Sequence, residues 1–183
     1  MDSQSIDAVI LQDYNKGVLT PKVIEQVLLR SDARGIPTMV DPKHEHFLSF
    51  KEASLFKPNL KELREGLGIK LEQIGLKNLD EATIELRVKM PHKQTLITLS
   101  EHGVYWNDGN QSGIIPVFER NIVDVSGAGD TVIAIAALAL AAGASLQEGA
   151  WLADLAGGLV CEHVGVQPID KEALLNEVMS LNH

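Results

Sequence analysis

Eight residues, Asp124-Val125-Ser126-Gly127-Ala128-Gly129-Asp130-Thr131, stand directly ahead of the longest apolar helical run in the chain, Val132 to Ala142. Gly127, Ala128 and Gly129 leave the backbone free to turn tightly and to bring its N–H groups close to a ligand. A helix that starts at once adds its unpaired N-terminal amides and the positive end of its dipole. The stretch therefore suits an anion, such as a phosphate or a developing oxyanion. Asp130 is the odd member, because a carboxylate repels such an anion unless it has a task. Taking the proton of a hydroxyl that attacks phosphorus is one such task. The structural alternative is a glycine-shaped turn with Asp130 as a helix cap. A dinucleotide fingerprint does not fit, since Val132 occupies the place of the third glycine and neither Glu148 nor Asp154 follows a strand.

The rest of the chain alternates short apolar runs with helical patterns. Ala8-Val9-Ile10-Leu11 reads as a buried strand, and Thr20-Pro21 as the cap and first residue of a helix with Val23, Val27 and Leu28 on its apolar face. Ile36 to Val40 and Ala53 to Phe56 read as further strands, and Asp80 to Met90 as a helix of irregular period. Thr95 to Leu99 is a strand, and Gly103 to Trp106 with Ser112 to Val117 forms a hairpin turning at Gly109-Asn110. Ala144 to Val160 and Asp170 to Ser180 close the chain as helices. Strands alternating with helices predict an α/β fold with a largely parallel sheet, in one domain over residues 1–183.

Charge and composition narrow the function. The net charge is −9 and Lys and Arg form no run, which argues against nucleic acid or an anionic membrane surface. The single cysteine, Cys161, rules out an internal disulfide framework and sits in an apolar stretch. Met1 to Ser5 is polar and lacks the basic start of a signal peptide. Val132 to Ala144 falls short of the roughly 20 residues that span a bilayer. A cytoplasmic location is the expectation. The histidines show no metal-ligand spacing beyond His44-x-His46, so zinc is not expected.

Several expected strand ends carry polar residues. Asp13 and Lys16 follow the first, in Asp13-Tyr14-Asn15-Lys16-Gly17, and Asp41 and Lys43 follow the second, in Asp41-Pro42-Lys43. Lys43 can offset phosphate charge as a point cation, and either segment reads equally as a solvated turn. Asn59 and Glu62, after Lys57-Pro58, have the spacing of a capping box, which by itself needs no function. Thr98, Ser100 and Gly103 close the strand before the hairpin.

In order along the chain, Asp-Tyr-x-Lys-Gly, Asp-Pro-Lys, Lys-Pro-Asn-x-x-Glu, Thr-x-Ser-x-x-Gly and Asp-Val-Ser-Gly-Ala-Gly-Asp-Thr resemble the ribokinase-like, or PfkB, carbohydrate kinases. Asp-Tyr-x-Lys-Gly and the last motif look most like the heptose-7-phosphate kinase branch, the kinase half of the ADP-heptose synthase bifunctional protein. The resemblance runs from Asp13 to about Pro168, with Ser100 where the family usually has glycine. It implies a three-layer ribokinase-like fold of which this chain is the C-terminal, nucleotide-binding portion, the N-terminal part being absent. It implies ATP with Mg2+, and in some members K+, and phosphoryl transfer to a sugar phosphate of lipopolysaccharide core synthesis. Asp130 would be the base, with the amides of Gly127, Ala128 and Gly129 as the anion hole. Asn59, Glu62, Thr98, Ser100, Gly103, Asp154 and Gly158 would lie along the nucleotide, and Asp13, Lys16 and Lys43 by the phosphorylated substrate. Asn59 and Glu62, with Asp41, would place magnesium, and Asp124 and Ser126 resemble the monovalent-cation loop. A truncated sheet would leave an uncovered edge, so a homodimer is expected. The alternatives are a nucleotide-binding module or an assembly fragment, neither transferring phosphate.

Overall fold

The structure, a computed structural model, describes residues 5–181. Met1 to Gln4, most of the polar opening segment, and the last two residues, including His183, lie outside the described residues. Within the described residues six strands form one sheet: β1 (Val9–Gln12), β2 (Thr38–Asp41), β3 (Leu55–Phe56), β4 (Gln94–Thr98), β5 (Val104–Asn107) and β6 (Ser112–Ile115). They lie in chain order; β1 to β4 are parallel, and β5 and β6 return as an antiparallel hairpin. Among the described residues six α-helices accompany them: α1 (Pro21–Asp32), α2 (Leu60–Leu67), α3 (Leu76–Lys89), α4 (Ala128–Ala141), α5 (Leu146–Val160) and α6 (Lys171–Leu181).

Side-chain alternation along the strands divides the core in two. Leu11, Val40, Phe56 and Ile97 point to one face and pack with Ile24 and Leu28 of α1, Leu63 of α2, and Leu79 and Leu86 of α3. Met39, Leu55, Leu96 and Trp106 point to the other and meet Val132, Ile133 and Ala136 of α4 and Ala150 and Ala153 of α5. Helices on both faces of a mostly parallel sheet make the expected three layers.

Several local expectations shift on the structure. The buried stripe of α1 is Ile24, Leu28 and Ser31, while Val23 is outside. Helix α3 begins at Leu76, four residues before the expected Asp80, and buries Leu79, Ala82, Thr83 and Leu86 at helical spacing. Its exposed Ile84 and Val88 are what blurred the period. Helix α4 begins at Ala128, so Asp130 lies within its first turn rather than ahead of it.

Two caps follow from the residues themselves. The Asn59 Oδ1 accepts the Glu62 amide and a Glu62 carboxylate oxygen accepts the Asn59 amide, both at 2.8 Å, which completes the capping box. Gly68 closes α2 at φ +69°, a conformation that costs a side-chain-bearing residue about 1 kcal/mol or more.

Candidate active site

The parallel strands end together at Gln12, Asp41, Phe56 and Thr98, beside the start of α4. Open α/β sheets place ligands at this carboxyl edge. Gly127, the residue before α4, turns the chain at φ +82°, and the Thr131 amide makes the first α-helical bond, to the Gly127 carbonyl, at 2.9 Å. The Gly129 and Asp130 amides, in the first turn, have no intrahelical acceptors. The Ala128 amide makes a long 3.3 Å bond to the Val125 carbonyl.

Asp130 does not cap its helix. Its carboxylate reaches across to β1, where the Gln12 side-chain amide and the Tyr14 hydroxyl (2.8 Å) each donate to one of its two oxygens. Gln12 was not singled out by the sequence, and Tyr14 appeared there only as part of a motif.

Lys57 is the other residue that the sequence concealed. It follows β3, its amide donates to the Val40 carbonyl at 2.8 Å, and only 2% of the residue is exposed. Its ammonium lies 3.1 Å from the Asp41 carboxylate and 3.9 Å from where a Cβ on Gly129 would stand. A buried cation thus lies against the first turn of α4. Burial pushes the Asp41 carboxyl up, and Lys57 pulls it back only in part. Lys43 pairs with Glu62, itself 7% exposed. Burial draws the Lys43 ammonium down, but the hydrogen bond and charge of Glu62 together with the charges of Asp41 and Asp130 outweigh it, and the net shift is upward.

Two adjoining cavities share Thr98, Ser100 and Gly129. The first, about 390 Å³, is polar and is lined by Asp41, Lys43, Lys57, Asn59 and Asp130. The second, about 450 Å³, is largely apolar, with Val117, Phe118, Ile122 and Val132 in its wall and Asp154, Gly158 and Arg120 at its polar side. Ser100 has φ +55°, so it adopts the left-handed backbone that a glycine would take at this turn. Gly103 has φ +83°, and a Cβ there would stand 2.0 Å from the Ile115 carbonyl. Only glycine fits, for a reason internal to the hairpin.

At the polar side of the apolar cavity, Arg120 bonds Glu162 (3.2 Å) and Glu177 (2.6 Å), which ties the loop before α4 to the turn after α5 and to α6. Burial raises the Asp154 carboxyl to about 6, with Arg120 lowering it in part, and one of its oxygens is buried without a hydrogen-bond partner. A Cβ on Gly158 would stand 2.8 Å from the Arg120 Nε, so this glycine makes room for the guanidinium.

Other predicted positions lie apart from these cavities. Asp13 is 4% exposed, and its carboxylate accepts the Asn15 amide at 2.8 Å, shaping the turn after β1. Lys16 is exposed in that turn and lines neither cavity. Asp124 accepts the Ser126 amide and hydroxyl on one oxygen (2.9 and 2.7 Å) and the Gly165 amide on the other (2.9 Å). These bonds, the Ser126 hydroxyl foremost, hold its carboxyl below the usual range and join the loop before α4 to the one after α5. Among the described residues, no group of three or more His, Cys, Asp or Glu side chains is placed to hold a metal ion.

A glycine-opened helix, a carboxylate on its first turn and a buried lysine beside it stand together at the carboxyl edge of a three-layer α/β fold. The chain belongs to the pfkB family of carbohydrate kinases, whose pattern matches residues 3–173. It is 43% identical over 166 residues to the bifunctional protein HldE of Caulobacter vibrioides, covering 90% of this chain and 34% of that protein. It is 37% identical over 175 residues to the bifunctional protein HldE of Campylobacter jejuni, covering 96% and 36% respectively. The chain therefore spans about a third of the length of these curated relatives. In fold it resembles phosphofructokinase-2 from Escherichia coli in complex with potassium (TM-score 0.84, 20% identity, 97% of this chain and 58% of that one). It likewise resembles Arabidopsis thaliana ribokinase complexed with ribose and ATP (TM-score 0.78, 24% identity, 93% and 55%).

Proposed function

We propose that this chain is the nucleotide-binding portion of an ATP-dependent sugar kinase, and that the sugar is a manno-heptose 7-phosphate used for ADP-heptose and lipopolysaccharide core synthesis. The observation that carries the kinase reading is the meeting of the two cavities at Gly129, with Asp130 and Lys57 on the polar side. The apolar cavity has room for a nucleobase and the polar one for phosphates. The heptose assignment rests on the likeness to the HldE proteins.

In this reading Asp130 takes the proton of the acceptor hydroxyl as its oxygen bonds the γ-phosphorus. The bond from that phosphorus to the bridging oxygen breaks, and ADP leaves with the electron pair. The amides of Gly127, Ala128 and Gly129 face the charge on the moving phosphoryl group, and the Lys57 ammonium offsets it from behind. Glu62 and Asp41 already hold Lys43 and Lys57, so the protein offers few free oxygens. That suits magnesium, which keeps waters and phosphate oxygens as its main ligands. Asn59, Glu62 and Asp41 would hold it through water, and it would neutralise phosphate charge.

The test is a thermal melt with and without magnesium and ATP, ADP or AMP, followed by phosphoryl transfer to the heptose phosphate. A ligand at a hundred times its Kd adds about 2.7 kcal/mol of stability. The expected result is a nucleotide-dependent shift in both the parent and Asp130→Asn, with turnover reduced by orders of magnitude in the variant. No shift in the parent overturns the nucleotide site. Near-parental turnover in Asp130→Asn removes this residue from the base role. A shift without turnover in the parent gives the second reading, a nucleotide-binding module.

A further inference from the structure

The carboxylate on α4 is tied to the far edge of the sheet by bonds that span 118 and 116 residues of chain. Gln12 ends β1 and Tyr14 lies two residues further on, and both side chains reach the α4 side of the sheet, where they meet Asp130. Gln12 is in register with Asp41 on the neighbouring strand, and Asp41 pairs with Lys57. Consecutive strand ends thus present a row of polar side chains to the first turn of α4, Gln12 to its carboxylate and Lys57 to Gly129. Free of this row, the Asp130 carboxylate would rotate about both of its side-chain torsions. With one donor on each oxygen its plane is set.

We propose that Gln12 and Tyr14 are positioning residues that fix the orientation of the Asp130 carboxylate for proton transfer, an inference that rests on Asp130 being the base. An ionised carboxylate offers about four lone-pair sites, so two donors leave room for the acceptor hydroxyl. Tyr14 is half exposed and Gln12 half-buried, so neither is a core residue whose loss would unfold the sheet. The phenol of Tyr14 is held above its usual range first by the hydrogen bond to Asp130, with burial and the charges of Asp130 and Asp41 adding to it. A misplaced reacting group costs on the order of 10²-fold in rate.

Two measurements on the full chain test the clamp. The first follows the phenol titrations by NMR of ¹³C-labelled tyrosine. The chain has two tyrosines, and burial pushes Tyr105 up to about 12, so the signals separate. The Tyr14 signal is expected to titrate above the ordinary tyrosine value and to move down in Asp130→Asn. An unchanged Tyr14 titration overturns the clamp without any assay of turnover. The second compares Tyr14→Phe, Gln12→Leu and the double variant in phosphoryl transfer. Turnover is expected to fall about 10- to 100-fold in the double variant, with KM for ATP unchanged, and Tyr14→Phe to add nothing in an Asp130→Asn background. Parental kcat in the double variant, with Asp130→Asn inactive, overturns the clamp and leaves the base standing. Parental kcat in Asp130→Asn removes the base, and the positioning role with it.

Discussion

Asp154→Asn should stabilise the ligand-free chain, and only at neutral and higher pH. Burial holds this carboxyl at about 6 in the folded chain, with Arg120 pulling the other way but committed to Glu162 and Glu177. In the unfolded chain an Asp titrates near 3.9, so the difference is about 2 units, or at most about 3 kcal/mol. The side chain borders an open cavity, and screening there brings the figure to about 1–2 kcal/mol. The folded state binds this proton more tightly than the unfolded one. Its contribution is therefore fully present below about pH 4 and is lost as the pH rises through about 6. Asparagine removes the titration. The variant should match its parent near pH 4 and exceed it by about 1–2 kcal/mol at pH 8, or about 2–8 °C in Tm for a chain of this size. Thermal melts of both proteins across that range, without nucleotide, make the comparison. An equal gain at every pH, or none at pH 8, would refute burial of an unpaired charge as the cause.

Two stability predictions concern the frame around the site. Gly103→Ala forces a Cβ onto the Ile115 carbonyl at a left-handed backbone, whereas Gly68→Ala meets open space at a similar φ. The first should cost about 2–5 kcal/mol and the second about 1, so equal midpoint shifts in urea would remove the hairpin clash as an explanation. Lys57→Met strands Asp41 in the interior and should cost about 3–5 kcal/mol at neutral pH, much of it recovered by adding Asp41→Leu. A double variant no more stable than Lys57→Met would show that the loss does not come from the orphaned carboxylate.

The layer architecture was readable because its signals are local. Thr20-Pro21 and Asn59-x-x-Glu62 specify helix starts with no help from the rest of the chain, and both caps formed. Asp130 was readable because its glycines and the apolar run lie next to it. Lys57 and Gln12 were not, since each depends on register. Lys57 looked like part of a strand-end dipeptide until the pairing of β2 with β3 put Asp41 beside it. Gln12, one residue past the expected strand Ala8 to Leu11, carried no signal of its own until the fold brought α4 against β1. In α1, Val23 and Ile24 differ by only 100° around the helix. The sequence named Val23, whereas the sheet buries Ile24.

Because the strands lie in chain order, each strand meets the previous one as soon as it emerges. Pairing in chain order favours progressive assembly from the N-terminal side. The contacts of Asp130 with Gln12 and Tyr14 break that pattern, since they join the first strand to a helix that is made only after the whole sheet. A growing chain could therefore hold these six strands paired while the contacts around Asp130 were still unmade, and this corner of the molecule would be the last to close.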